Sequence, residues 1–415
     1  MKIEKLTLSN FRNIKRSTFH PSPTLNFLIG QNGQGKTSFL EALSFLSSLR
    51  SFREAKAVHA IQWGEQKSEI SCSLISHSTI VGDWKTECKI VFQSLDEERS
   101  KVSKAAFINE KAFRSSVHYL SERSKHSEMG FHAVVFNPSD HDLVRGDSLS
   151  RRNYLNRVIA AEDIEYLKIL QKYQRVLDQR NALLKSMERP LQSLLQGFGE
   201  SLTHLGALIA FKRLQWLEKL FIPLNQILQK IAPGELSLRL IYRSNWVPEI
   251  KNLSFNNNNL YSVHFTGQGG LGSLELLEQS FRAKLISLEA AELRAGHTLV
   301  GPHRDDWTFF LGEQILKGHG SQGEIRSALL ALKLAELELF RSETGHRPVF
   351  LLDDFSSELD RNRRLFLLKF LTETDLQTFV TMTEEVSSLG KKYWVSDGEI
   401  EEGKYDNRTK AIGME

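Results

Sequence analysis

Three stretches predict a mixed α/β fold joined to a helical second lobe. An apolar strand runs into Gly30-Gln31-Asn32-Gly33-Gln34-Gly35-Lys36-Thr37 and on into a helix. A long helical pattern begins near Arg151 and lasts to about Ile231, and a second apolar strand, from Phe350, ends in Asp353 and Asp354. On this reading residues 1–138 and 331–415 form the sheet-bearing lobe and residues 139–330 the mainly helical one.

The first stretch fits the phosphate-loop pattern G-x-x-x-x-G-K-[ST] in the context that pattern requires. Leu25, Phe27 and Ile29 alternate as a strand would, and Phe39, Leu40, Leu43, Phe45, Leu46 and Leu49 recur at helical spacing. Glycines let backbone N–H groups close around phosphate oxygens, and the helix N-terminus adds roughly half a unit of positive charge there. Residues Gly30 to Ser38 are therefore expected to hold a nucleotide. Lys36 would sit on the β and γ phosphates and Thr37 on magnesium. Arg12, in the polar corner Asn10-Phe11-Arg12-Asn13 after an opening strand, is a further residue that could reach the nucleotide.

Composition excludes several classes. With 415 residues the chain can bury a large core, and a net charge of +4 neither demands nor excludes nucleic acid. Two cysteines, Cys72 and Cys88, are too few for a disulfide framework and read as buried reduced thiols of a cytosolic protein. The N-terminus lacks a signal-peptide core and no apolar run spans a bilayer, so a membrane role would require a partner.

Between Ser68 and Phe113 short strand-like segments suggest an antiparallel flank, and Ala133 to Phe136 reads as a buried strand halted by Asn137-Pro138. Two helical stretches follow, broken near Pro190 and ended by Pro233-Gly234. Their basic residues, including Arg151, Arg152 and Arg180, are read as solvated or as phosphate contacts. A strand near Leu238, a loop at Asn256 to Asn259 and a helix from Leu274 to Arg294 lead to Gly301-Pro302-His303-Arg304-Asp305-Asp306. A metal reading of that cluster is disfavoured because adjacent strand residues face opposite ways. A kinase reading fails because its asparagine is missing and the glycine loop is of the other type.

Ahead of the acidic strand, Ser321-Gln322-Gly323-Glu324 opens a helix with Ser321 at the N-cap, leaving N–H groups for an anion. Asp353 is expected to hold magnesium and Asp354 to orient or deprotonate water. Phosphate loop, S-Q-G-x-x-R, acidic strand and the loop Ser356 to Asp360, in that order, resemble the head of the ABC-type ATPases that serve chromosomes. More narrowly the chain resembles the bacterial RecF family of DNA replication and repair proteins. The likeness rests on Asn10 to Asn13, the phosphate loop, Arg50-Ser51-Phe52-Arg53, Arg151-Arg152, Arg180-Asn181, Thr298 with Gly301 to Asp306, Ser321 to Gly323, and Leu351 to Asp354.

The resemblance implies an α/β ABC-type P-loop ATPase head that binds ATP with Mg2+. It implies an ATP-dependent homodimer in which Ser321 and Gly323 of one copy face the phosphates on Lys36 of the other. It implies binding of gapped DNA or junctions of single and double strand, and work with RecO and RecR in loading RecA, none of which is legible from composition. The family's Asp354 stands where most ABC ATPases have glutamate, and a catalytic group misplaced by about 1 Å can cost on the order of 100-fold. Slow turnover is expected, with Lys36 and Asp354 carrying it. Glu324, replacing a glutamine, is expected to point away from the phosphate. Thr381-Met382-Thr383 occupies the region of the switch histidine, and Ser139-Asp140 that of the glutamine loop. A transporter subunit would require a membrane partner and glutamate at position 354. An ATPase-gated nuclease of the overcoming-lysogenization type would require an added acidic domain, for which the hairpin around Val395 to Ile400 leaves no room.

Overall fold

The computed structural model describes residues 2–403 apart from 54–55, 79–81, 97–100, 114, 126–130, 187–191, 235–236, 248–273, 356–359 and 385–388. The loop expected at Asn256 to Asn259 and most of Ser356 to Asp360 lie outside the described residues. The chain divides into two compact units, Met1–Asp140 with Glu336–Glu415, and His141–Ala335.

The first unit holds two six-stranded sheets. One is antiparallel, ordered β2 (Ile14–Phe19), β1 (Lys2–Phe11), β4 (Lys67–Ser78), β5 (Gly82–Ser94), β6 (Val102–Ile108) and β7 (Lys111–Phe113). The other is mixed, ordered β15 (Glu399–Glu402), β14 (Lys391–Ser396), β3 (Leu25–Ile29), β13 (Thr378–Met382), β12 (Val349–Leu352) and β8 (Ala133–Phe136). From β14 to β8 every neighbour is parallel. Strands β3, β8, β12 and β13 are buried at every residue, as parallel strands covered on both faces must be.

Helix α1 (Lys36–Ser48) is buried along nearly its whole length, and the short α2 (Ser116–Lys125) follows β7. In α1, Phe39 meets Phe19 edge-on and Phe45 meets both Phe11 and Phe92 of the antiparallel sheet, while Phe19 meets Phe379 of β13, so residues of both sheets share one core with the helix. Cys72 and Cys88 stand opposite each other on β4 and β5, both buried and neither in a disulfide, and burial pushes the Cys72 thiol well up. Strand β2, unforeseen in the sequence, pairs with β1 around the Arg12-Asn13 turn. Leu6, Leu8 and Phe11, the apolar residues of the opening strand, are buried in β1, and the polar corner follows it.

The second unit is built on α4 (Ser148–Glu162), α5 (Ile164–Ser186), α6 (Gln192–Ile231) and α7 (Leu274–Ala295), preceded by the single turn α3 (Asp142–Arg145). A three-stranded sheet joins them, ordered β11 (Gln314–Ile315), β10 (Asp306–Leu311) and β9 (Leu238–Arg243). The single turn α8 (Leu316–His319) and then α9 (Gln322–Thr344) lead the chain back to the first unit.

This unit corrects the reading of its arginines. Arg180 forms a buried ion pair with Glu292 at 2.7 Å and donates to Thr298 at 2.8 Å, while the Thr298 hydroxyl donates to Asn181. Arg151 grips both carboxylate oxygens of Asp306 at 2.6 and 2.8 Å and accepts from the Trp307 indole through its carbonyl. Arg152 donates to the Asp305 carbonyl at 2.9 Å. Arg151 and Arg180 are therefore internal struts, withdrawn from any phosphate. The Gly301 to Asp306 run belongs to the same polar core: Arg213 donates to the Pro302 carbonyl, Tyr173 meets His303 at 2.7 Å, and Asp305 accepts from Tyr242 and Trp246. Gly301 sits at φ +130, where an added Cβ would lie 2.4 Å from the Tyr173 hydroxyl. Among the described residues there is no cluster of three or more histidine, cysteine or acidic side chains suited to a metal.

Candidate nucleotide site

Parallel strands end together, and at the carboxyl ends of β3, β13 and β12 the chain gathers its polar residues. β3 runs into the phosphate loop, where Lys36 curls back and its ammonium donates to the carbonyls of Gly30 and Gln31 at 2.6 and 2.8 Å. Burial lowers the Lys36 pKa, against the opposing pull of Asp353 and Asp354. Gly33 and Gly35 adopt φ of +84 and +106, left-handed backbone that L side chains resist. Gly35 is the N-cap of α1 and brings no side-chain cap, which leaves the first N–H groups of that helix open to an anion.

The loop is braced from outside. Asn13 donates to the Gly33 carbonyl at 3.1 Å and accepts from the Ser38 hydroxyl at 2.9 Å. The Gln34 carbonyl and side chain receive the N–H groups of Gly398 and Asp397. Asn32 lines the open cleft beside the loop.

Asp353 follows β12 and accepts hydrogen bonds from the hydroxyls of Thr37 at 2.9 Å and Thr381 at 2.8 Å. Burial raises its pKa, and these hydroxyls and Arg53 oppose that rise. Asp354 takes φ 57, a left-handed conformation that aspartate tolerates better than most residues, and its N–H donates to the Thr381 hydroxyl at 2.8 Å. Thr381 therefore holds both acids at once. Sequence reasoning reached its neighbourhood without choosing the residue, because only the pairing of β13 between β3 and β12 shows which threonine faces the acids.

The donor set fits a magnesium-bound triphosphate: an uncapped helix start, one ammonium, one hydroxyl and one carboxylate. Magnesium usually takes few protein ligands and relies on phosphates and water for the rest. Thr37 and Asp353 would hold the ion, and Lys36 with the loop N–H groups the phosphates. Arg12 lines the cleft, yet its guanidinium is paired with the fully buried Glu41, with Nε at 2.8 Å from Oε2. That pair braces α1 at the wall of the cleft that also holds the phosphate loop. Ser139 and Asp140 fall in a single turn where Asp140 caps the Asn137 N–H.

Ser321 and Gly323 lie in the second unit. The Ser321 hydroxyl accepts from the Glu324 N–H at 3.2 Å while the Glu324 carboxylate accepts from the Ser321 N–H at 2.7 Å, a reciprocal capping box. The Glu324 carboxylate thus closes on the helix start.

Residues 2–392 match the model of the RecF/RecN/SMC N-terminal domain. The DNA replication and repair protein RecF of Geotalea uraniireducens is 32% identical over 96% of this chain and 100% of its own length. That of Enterococcus faecalis is 30% identical over 97% of this chain and 99% of its own. The chain belongs to the RecF family. Among solved RecF structures, the recombination mediator protein RecF-ATP of the RecFOR pathway superimposes with a TM-score of 0.81 at 28% identity, covering 97% of this chain and 98% of that one. The Smc head domain of Pyrococcus furiosus, 14% identical with a TM-score of 0.54 and covering 99% and 97% of the two chains, shares the fold. The fold of this RecF-family chain is accordingly an ABC-type P-loop ATPase head with a helical second lobe. No helix among the described residues is long and apolar enough to cross a membrane.

Proposed function

We propose that this RecF-family chain is a cytoplasmic, ATP-dependent DNA clamp of replication and recombinational repair. The supporting observation is the convergence of Lys36, Thr37, Asp353 and Thr381 at the ends of three neighbouring parallel strands, the donor set that a magnesium–triphosphate would require. Bound ATP would offer its γ-phosphate to Ser321 and Gly323 of a second copy, so that nucleotide closes a homodimer on gapped DNA or a junction of single and double strand. RecO and RecR would then work with the closed dimer, and RecA would be loaded downstream.

Hydrolysis would release the clamp slowly. Asp354 reaches one methylene less far than the glutamate of fast ABC ATPases, and a misplacement of about 1 Å costs on the order of 100-fold. Its left-handed backbone also gives a reason for aspartate at this position, since φ near +57 favours short polar side chains. Crosslinking of purified protein on gapped DNA with and without ATP tests the reading. Retention on DNA and the dimer should both require ATP and both disappear in Lys36→Arg; binding that ignores nucleotide would refute it.

A further inference from the structure

The phosphate loop accounts for one part of its cleft. The open cleft measures about 1440 Å3, larger than the roughly 300–1,000 Å3 of an ordinary small-molecule pocket, and its lining extends to Val58, His59, Gln62, Trp63 and Gly64. Trp63 is 93% exposed, the most exposed large apolar side chain among the described residues.

An indole this exposed would contribute little if its loop were loose, and the loop is pinned. Ala60 and Ile61 are buried, and Ile61 bridges Phe11 of β1. The Arg12 N–H donates to the Ala60 carbonyl at 3.3 Å and the Gln62 N–H to the Asn10 carbonyl at 2.8 Å. The Glu65 N–H closes a turn on the Gln62 carbonyl at 3.1 Å, with Trp63 and Gly64 at its centre. Gly64 takes φ +86, which the third position of a type II turn demands. The corner that anchors this turn is the one from which Asn13 braces the phosphate loop. One rigid hydrogen-bonded frame thus carries both the phosphate cradle and a presented aromatic face.

We propose that Trp63 is the stacking platform for the base of the nucleotide whose phosphates lie on Lys36. The assignment rests on the ATP-binding reading above and extends it to the base. Every base offers a π-face, so stacking favours a nucleoside triphosphate over bare triphosphate without selecting adenine strongly over guanine.

Calorimetric titration of the full chain with MgATP and with magnesium tripolyphosphate separates the possibilities. Trp63→Ala is expected to weaken ATP about tenfold and to leave tripolyphosphate unchanged, and Trp63→Phe to recover most of the loss. Unchanged ATP affinity in Trp63→Ala overturns the proposal. So does an equal loss of both ligands, which would mean that the loop had collapsed. Unchanged ATP affinity with lost retention on gapped DNA overturns it and gives the ring to DNA. Lys36→Ala is expected to lose both ligands; if it keeps both, the phosphate-loop reading beneath the proposal falls instead.

Discussion

Thr381 donates to Asp353 and accepts from the N–H of Asp354, so one hydroxyl sets the positions of two acids with different tasks. Asp353 accepts from Thr37, and on the proposed reading it would also hold the ion, leaving Asp354 for water. Asp354→Asn should therefore keep ATP-dependent dimerisation while slowing hydrolysis by about 100-fold or more; single-turnover hydrolysis beside sedimentation of the ATP complex checks both halves. In the second unit, burial pushes the Asp305 carboxyl up from 3.8 to about 6 against its hydrogen bonds from Tyr242, Ser244 and Trp246. The native state keeps a proton that the unfolded chain releases, so this contribution is full below pH 3.8 and is lost as pH rises to about 6. Burial pulls His303 down from 6.5 to about 4, and there the unfolded chain takes the proton, so stability is lost as pH falls. The two slopes oppose each other in one window. Relative to the parent, Asp305→Asn should gain up to about 3 kcal/mol between pH 4 and 6. Urea midpoints across that range measure it, and a constant difference would contradict it.

Among elements, helix α6 crosses α7 at Gly206, where an added Cβ would stand 2.2 Å from Cε1 of the fully buried Phe281. Gly206→Ala gains about 1 kcal/mol of helix propensity, yet overpacking of this kind typically costs about 1–3 kcal/mol, more where the ring cannot yield. A lower melting temperature is expected, and an unchanged or higher one would show that Phe281 has room to move. The strands β3 and β12 were legible in the sequence because each is an apolar run ended by a chemically distinctive motif. β2 was not: Lys15 and Arg16 stand exposed together beside Ile14, breaking the alternation that marks a strand. The arginines of α4 and α5 read as surface because basic residues on helices usually are. Their partners Asp306 and Glu292 lie 155 and 112 residues further along, a distance no local pattern spans. The capping box at Ser321 was half legible, since the serine announced the cap while its reciprocal partner Glu324 was not read as part of it.

At the scale of the whole molecule, the phosphate cradle and Ser321 belong to different compact units, and the proposed clamp is completed only when a second copy supplies the serine-capped helix. The phosphate loop, acidic strand and signature order were readable because chemistry fixes their residues. Partners and DNA preference were not, because they depend on surfaces that no short motif encodes. The most direct measurement is sedimentation with ATP of Lys36→Ala, of Ser321→Arg, and of the two mixed. Each variant alone should stay monomeric, whereas the mixture should pair, since one of its two composite sites joins an intact lysine to an intact serine. Variants that dimerise alone as the parent does, or a parent that remains monomeric at saturating ATP, would contradict the shared site.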